Sequence, residues 1–217
     1  MEFVKICGLK KIEEVQLCIN NGATAVGFIY NVLESPRNLE EAEIKALLNK
    51  IPKEIKTVLV FKTKNVSEIL EIMTKIEVDL YQVHCSFNTP SLDEISSEMK
   101  RRIIIALKVN EGNKSSIIQT INLKYNQFFA ILLDSSEGRG IEFNFDLILE
   151  ILKKTCGARV IIAGGISMGN VEKIIKILNP FGIDISSSLE SENGIKDPKK
   201  IMKFLEKLIE IRQKIVV

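Results

Sequence analysis

Only one histidine, His84, occurs in the chain's 217 residues, and the four cysteines, Cys7, Cys18, Cys85 and Cys156, form no C-x-x-C pair. Nitrogen and sulfur ligands at metal-site spacing are therefore missing, and no metal centre is expected. Scattered thiols of this kind suit a reducing compartment. The 30 basic and 28 acidic residues leave a formal charge of +2, without the basic excess of a nucleic-acid binder. No apolar run approaches the ~18 residues that cross a bilayer. A strand-like run starts by the third residue, which leaves no room for a secretory h-region. The expectation is a cytoplasmic protein with neither nucleic-acid nor membrane partners. No low-complexity linker divides the chain, so one domain is expected over 1–217. The basic cluster of Lys196 with Lys199 and Lys200 reads as a solvated helix face.

What is present is a regular alternation. Strand-like runs are read at 3–7, 24–29, 56–61, 79–83, 103–108, 128–133, 159–163 and 182–185. Helix-like periods lie at 11–20, 39–49, 65–76, 91–99, 114–123, 146–154, 168–178 and 198–213. The strands are continuous apolar runs, as expected when both faces are buried. Ile201, Phe204, Leu205, Leu208 and Ile211 recur at spacings of three and four, an amphipathic face. Eight such units predict an α/β fold, a single (β/α)8 barrel of parallel strands with outer helices. The rival open, doubly wound sheet lacks a G-x-G-x-x-G at its first helix.

Residues capable of chemistry sit where five of these strands end: Cys7-Gly8, His84, Asp134, Gly164-Gly165 and Ser186-Ser187. Active sites of β/α barrels are built from such ends. The glycine pair and the serines follow the seventh and eighth strands, where barrels commonly bind phosphate through backbone N–H groups. Gly-Gly can equally be a tight turn. Cys7 can serve as a thiolate base if its pKa falls, or be a small buried hydrophobe, the reading given to Cys18 and Cys156. Asp134 ends a very apolar strand, and desolvation there would favour a protonated carboxyl able to act as general acid. Its alternative is a cap or ion-pair partner. Arg37, behind Ser35-Pro36, is suited to clamping a carboxylate. His84 is read as a hydrogen-bonder.

In order along the chain stand Val4-Lys5-Ile6-Cys7-Gly8, Ser35-Pro36-Arg37, Gln82-Val83-His84, Leu132-Leu133-Asp134 and Gly138-Arg139-Gly140 with Phe143. Ala163-Gly164-Gly165, Gly182 to Ser187, Leu189-Glu190 and Gly194 to Pro198 follow. Together, from residue 4 to about 205, they resemble the phosphoribosylanthranilate isomerase family of tryptophan biosynthesis. The resemblance implies a cofactor-free Amadori rearrangement of N-(5-phosphoribosyl)anthranilate to 1-(2-carboxyphenylamino)-1-deoxyribulose 5-phosphate. It implies Asp134 as acid and Cys7 as base, with Arg37, Gln82, His84 and Asp184 binding substrate. Gly164, Gly165, Ser186 and Ser187 would hold its phosphate. A phosphorylated small molecule is then the partner, and the protein is expected to be a monomer or homodimer.

Four positions depart from the family pattern. Lys10 replaces a threonine, Cys85-Ser86 follow His84 in place of Gly-Asp/Glu, Arg139 replaces a small residue, and Ser188 replaces a glycine. Ser188 would crowd the phosphate, whereas Lys10 and Arg139 add positive charge near an anion. Two other functions compete. An aldolase or epimerase on the same barrel would use a strand-end lysine such as Lys108 for a Schiff base. A non-catalytic phosphometabolite binder would not need Cys7 and Asp134.

Overall fold

The computed structural model describes residues 1–63, 65–84, 90–135, 143–155 and 157–215. The segments 85–89 and 136–142, and with them Cys85, Gly138, Arg139 and Gly140, lie outside the described residues, as does Cys156. Eight parallel strands close into a barrel: β1 (Phe3–Cys7), β2 (Ala25–Tyr30), β3 (Lys56–Lys62), β4 (Leu80–His84), β5 (Ile103–Lys108), β6 (Ala130–Asp134), β7 (Val160–Ala163) and β8 (Gly182–Ile185). Each pairs with the next in sequence, and β1 pairs with both β2 and β8, which closes the ring. The predicted (β/α)8 barrel is therefore the observed fold.

The helices that cover the barrel are α1 (Ile12–Asn20), α2 (Glu41–Leu48), α3 (Val66–Lys75), α4 (Ser97–Lys100), α5 (Lys114–Lys124), α6 (Phe145–Lys153), α7 (Val171–Lys173) and α8 (Pro198–Ile215). Two differ from the sequence expectation. The 91–99 period resolves into a 3-10 turn, Pro90–Glu94, and a single helical turn, α4, capped when the Ser96 side chain accepts from Met99 N–H. The 168–178 period becomes α7 continued by a π-helical turn, Ile174–Leu178, that ends on Asn179 at φ 41°. Asparagine tolerates that left-handed conformation, which stops the helix. Among the described residues no helix is long and apolar enough to cross a membrane.

Side chains alternate along each strand, so every strand contributes to two cores. One set packs outward beneath the helices, as do Val4, Ile6, Val26, Phe28, Ile183 and Ile185. The other points into the barrel: Phe3, Cys7, Ala25, Val58, Val60, Ile104, Ala106, Leu132 and Ala163. Phe3, Phe129 and Phe181 close the N-terminal end, each ring centroid 6.0–6.1 Å from the other two. The interior set takes up side chains from alternate positions of every strand. Residues at i and i+2 therefore share the barrel axis, which brings Cys7, His84 and Asp134 to its C-terminal mouth.

Candidate active site

A cavity of about 600 Å³ opens at that mouth. It is lined by Cys7, Arg37, Gln82, His84, Asp134, Gly164, Gly165, Asp184, Ser186 and Ser187, with Ser188 and Asn193 at the rim. The fold thus gathers all ten residues singled out in the sequence into one concave space. Lys108, the strand-end amine on which the aldolase reading depends, is exposed and does not line the cavity.

The polar floor was not foreseen. Lys5 lies two residues before Cys7, so both side chains point into the barrel, and Lys5 is fully buried. Its Nζ donates to Asp184 Oδ2 at 2.9 Å and to Gln82 Oε1 at 2.9 Å. Lys5 and Asp184 are direct neighbours across the β1–β8 ladder. Burial pulls the Lys5 ammonium down, but Asp184 and Cys7 push it back, and the net pKa lies above the ordinary lysine value. Lys5 is therefore a cation, the wrong form for a Schiff-base nucleophile. A signal for it was present: a lysine inside Phe-Val-Lys-Ile-Cys, in phase with the cysteine. Asp184 Oδ1 is buried and makes no hydrogen bond among the described residues. An acceptor left over at a cavity wall is ready for a ligand hydroxyl.

This floor settles the protonation of His84. Lysine only donates, so the Gln82 carbonyl oxygen faces Lys5 and its NH₂ faces the histidine. Gln82 Nε2 lies 3.1 Å from His84 Nε2 and must donate to it. His84 is then neutral, with its proton on Nδ1. Burial lowers its pKa, in the same sense, against a weaker opposite pull from Asp134.

Cys7 ends β1 at 6% exposure. Burial pushes its thiol above the ordinary value; Lys5 and Lys196 pull it back, while Asp184 adds to the rise. Gly8 follows at φ 75°, and a Cβ there would collide with Arg37 Cδ, so the glycine lets Arg37 cross the mouth. Arg37, expected as a carboxylate clamp, already grips a carboxylate of the chain itself. Its Nε and Nη2 donate to Glu190 Oε1 and Oε2, each at 2.6 Å. Nη2 also donates to Asn193 Oδ1 at 3.5 Å, and among the described residues Nη1 makes no hydrogen bond.

Glu190 in turn accepts from Lys196 Nζ at 2.8 Å and from Gly194 N–H at 3.0 Å. Burial alone would raise its pKa, but these donors and Arg37 hold it at about 2. The reading of Lys196 as solvated is therefore wrong. It stands on a short antiparallel ribbon, Glu190–Glu192 with Ile195–Lys196, and its side chain is buried. Lys199 and Lys200 are exposed, though Lys200 Nζ donates to the Glu190 carbonyl. Lys10 also differs from expectation: its Nζ donates to the Pro36 carbonyl at 3.0 Å, tying two loops together outside the cavity lining.

The loops after β7 and β8 complete the cavity wall. Gly164 and Gly165 have φ of 79° and 67°, a left-handed backbone that favours glycine at both positions. Asn170 holds this loop by donating to the Gly165 carbonyl at 2.8 Å and accepting from Ser167 N–H at 2.8 Å. Ser187–Leu189 form a 3-10 turn that starts at the cavity. The Ser186 hydroxyl is already engaged: it donates to the Cys7 carbonyl at 3.1 Å, and Lys196 Nζ lies 3.3 Å away. Ser188 is exposed and its φ is not positive, so its side chain causes no backbone strain. Among the described residues no group of three or more His, Cys, Asp or Glu side chains could hold a metal ion.

A β/α barrel whose mouth joins a thiol, a carboxyl group, an arginine and a glycine pair has the form of a barrel enzyme. The model of the N-(5'-phosphoribosyl)anthranilate isomerase family matches residues 4–207. The chain belongs to that family. A relative named N-(5'-phosphoribosyl)anthranilate isomerase, from Thermoanaerobacter sp. (strain X514), is 34% identical over 212 residues, 96% of this chain and 98% of its own. A solved phosphoribosylanthranilate isomerase in complex with reduced 1-(o-carboxyphenylamino)-1-deoxyribulose 5-phosphate superposes with a TM-score of 0.78. It is 26% identical, with 95% of this chain and 97% of that one covered. Monomers generated from the dimeric enzyme of Thermotoga maritima give a TM-score of 0.77 at 25% identity, with 95% and 97% covered.

Proposed function

We propose that this cavity converts N-(5'-phosphoribosyl)anthranilate to 1-(2-carboxyphenylamino)-1-deoxyribulose 5-phosphate, with Asp134 as acid and Cys7 as base. As a member of its family the protein is an isomerase of tryptophan biosynthesis. Asp134 gives a proton to the furanose ring oxygen as the C1′–O bond breaks, and the anthranilate nitrogen closes a Schiff base. The Cys7 thiolate takes the C2′ proton, and the C–H electron pair forms the C1′–C2′ double bond of an enolamine. A proton then leaves the C2′ hydroxyl and one returns to C1′, giving the ketone without net gain or loss of atoms.

The free Nη1 edge of Arg37 holds the anthranilate carboxylate, Asp184 Oδ1 accepts from a sugar hydroxyl, and Gln82 and His84 bound the sugar. Gly164, Gly165 and the backbone at Ser186-Ser187 hold the phosphate. The observation that carries this reading is the meeting of Cys7, Asp134, Arg37 and the glycine pair around one space. The whole chain, 1–217, acts as one domain, as a monomer or homodimer in the cytoplasm, and needs no cofactor. Purified protein mixed with freshly made phosphoribosylanthranilate should deplete its anthranilate-type fluorescence, before and after treatment with a chelator. Binding without turnover would favour the non-catalytic barrel, and activity restored only by metal would end the cofactor-free scheme.

A further inference from the structure

Cys7 is expected to act as a base, yet it is buried, and a thiol out of water resists ionisation. Whatever makes it a usable thiolate must lie within the barrel. Four charged groups act on it from the elements around it. Lys5 shares its strand, Asp184 faces it from β8, Lys196 reaches it from the ribbon, and Arg37 crosses above it.

Of these, Lys5 stands in direct register. A Cβ placed on Gly27 of β2 would lie 2.7 Å from Lys5 Cε, 3.2 Å from Lys5 Nζ and 3.2 Å from Cys7 Sγ. The ammonium and the sulfur therefore converge on the space above Gly27, the ladder partner of Cys7. Two of the three Lys5 hydrogens are taken by Asp184 and Gln82. No acceptor among the described residues takes the third by a hydrogen bond, and Cys7 is among the groups that keep Lys5 charged. A fully buried lysine is rare unless paired, and this pairing has a geometry that serves the thiol.

We propose that Lys5, held by Asp184 and Gln82, is a positioning residue whose ammonium is the counter-ion of the Cys7 thiolate, in a space kept open by Gly27. It rests on the reading of Cys7 as base. When Cys7 takes the C2′ proton, the sulfur becomes neutral and the C–H electron pair cancels the positive charge of the protonated Schiff base, while the buried cation stays in place throughout. Lys5 neither gives nor takes a proton. Asp184 keeps Lys5 charged, and Gln82 transmits its orientation to His84.

The test reads the thiolate itself. The Cys7 titration is taken from absorbance near 240 nm, as the difference between each protein and the same protein carrying Cys7→Ser. Lys5→Met alone would strand Asp184 as an unpaired buried charge, which both destabilises the barrel and repels the thiolate. Lys5→Met/Asp184→Asn removes both charges and keeps the volume. Asp184 opposes Lys5 at the thiol, so its removal offsets part of the effect; Lys5 is the stronger influence, and the thiol midpoint should still rise by ~0.5 pH unit or more relative to wild type. The limb of the kcat profile that rises with pH should move with it, by ~3-fold or more at fixed pH. A second variant, Gly27→Ala, keeps every charge but forces the pair apart, and should shift the midpoint in the same direction.

An unmoved midpoint in a folded double variant would overturn the proposal. A midpoint that moves while the rate profile stays would leave the ion pair standing and remove Cys7 from the role of base. The two failures are therefore distinct.

Discussion

Arg37 and Glu190 lie 153 positions apart and meet through two hydrogen bonds of 2.6 Å. The pair fastens the loop after β2 to the ribbon after β8, across the mouth of β1. Buried Glu190 accepts from Arg37, Lys196 and the Gly194 N–H, so its loss would leave Lys196 as an uncompensated buried cation.

Acid stability should expose this pair. The Glu190 carboxyl is held at about 2 in the folded chain, below its ordinary 4.5. A depressed folded pKa contributes stability above the unfolded value and loses it as pH falls through the folded one. The expected loss is ~3 kcal/mol, spread between pH 4.5 and about 2. Urea unfolding of wild type and Glu190→Gln across that range should give curves that converge towards low pH. Parallel curves would show that Glu190 has no such coupling.

Removing the acid or the base should cost rate more than binding. Cys7→Ala and Asp134→Asn should each lower kcat by ~10²–10⁴ with the affinity for a product analogue kept. Steady-state kinetics beside a direct titration separate the two quantities. Near-normal turnover in either variant would strip that residue of its role.

His84 should matter less. Its Nε2 is occupied by Gln82 and its pKa is lowered, so it is a neutral wall of the cavity. His84→Asn should lose ~10-fold or less in kcat/KM, and wild type should show no histidine limb near pH 6.5. A deficit as deep as that of Cys7→Ala would transfer the base from the thiol to the imidazole.

Ser188 should be tolerated. It replaces a glycine of the family pattern, but its φ is not positive and it is exposed, so there is no strain for a glycine to relieve. Ser188→Gly should change the dissociation constant of a ribulose-phosphate analogue by less than ~2-fold. Weakening of several-fold, ~1 kcal/mol, would make its hydroxyl a phosphate ligand.

The sequence by itself determined the barrel and the ends of its strands. Eight buried apolar runs separated by amphipathic periods have few other ways to hide both faces, and reactive residues after such runs must emerge at one rim. Cys7, Asp134 and Gly164-Gly165 were legible because each is a local exception to an apolar or helical pattern. Partners were not legible, because pairing is set by neighbours distant in the chain. From sequence alone Lys196 reads as solvent-facing and Arg37 as a clamp of unknown carboxylate; the fold sets Glu190 between them. Lys5 read as part of a strand until the closing of β1 on β8 put it 2.9 Å from Asp184, 179 positions away. Local sequence sets which face a side chain takes. Only the closure of the barrel decides what waits on that face, and with it which charges are neutralised, which proton His84 carries and which cation stands beside the thiol.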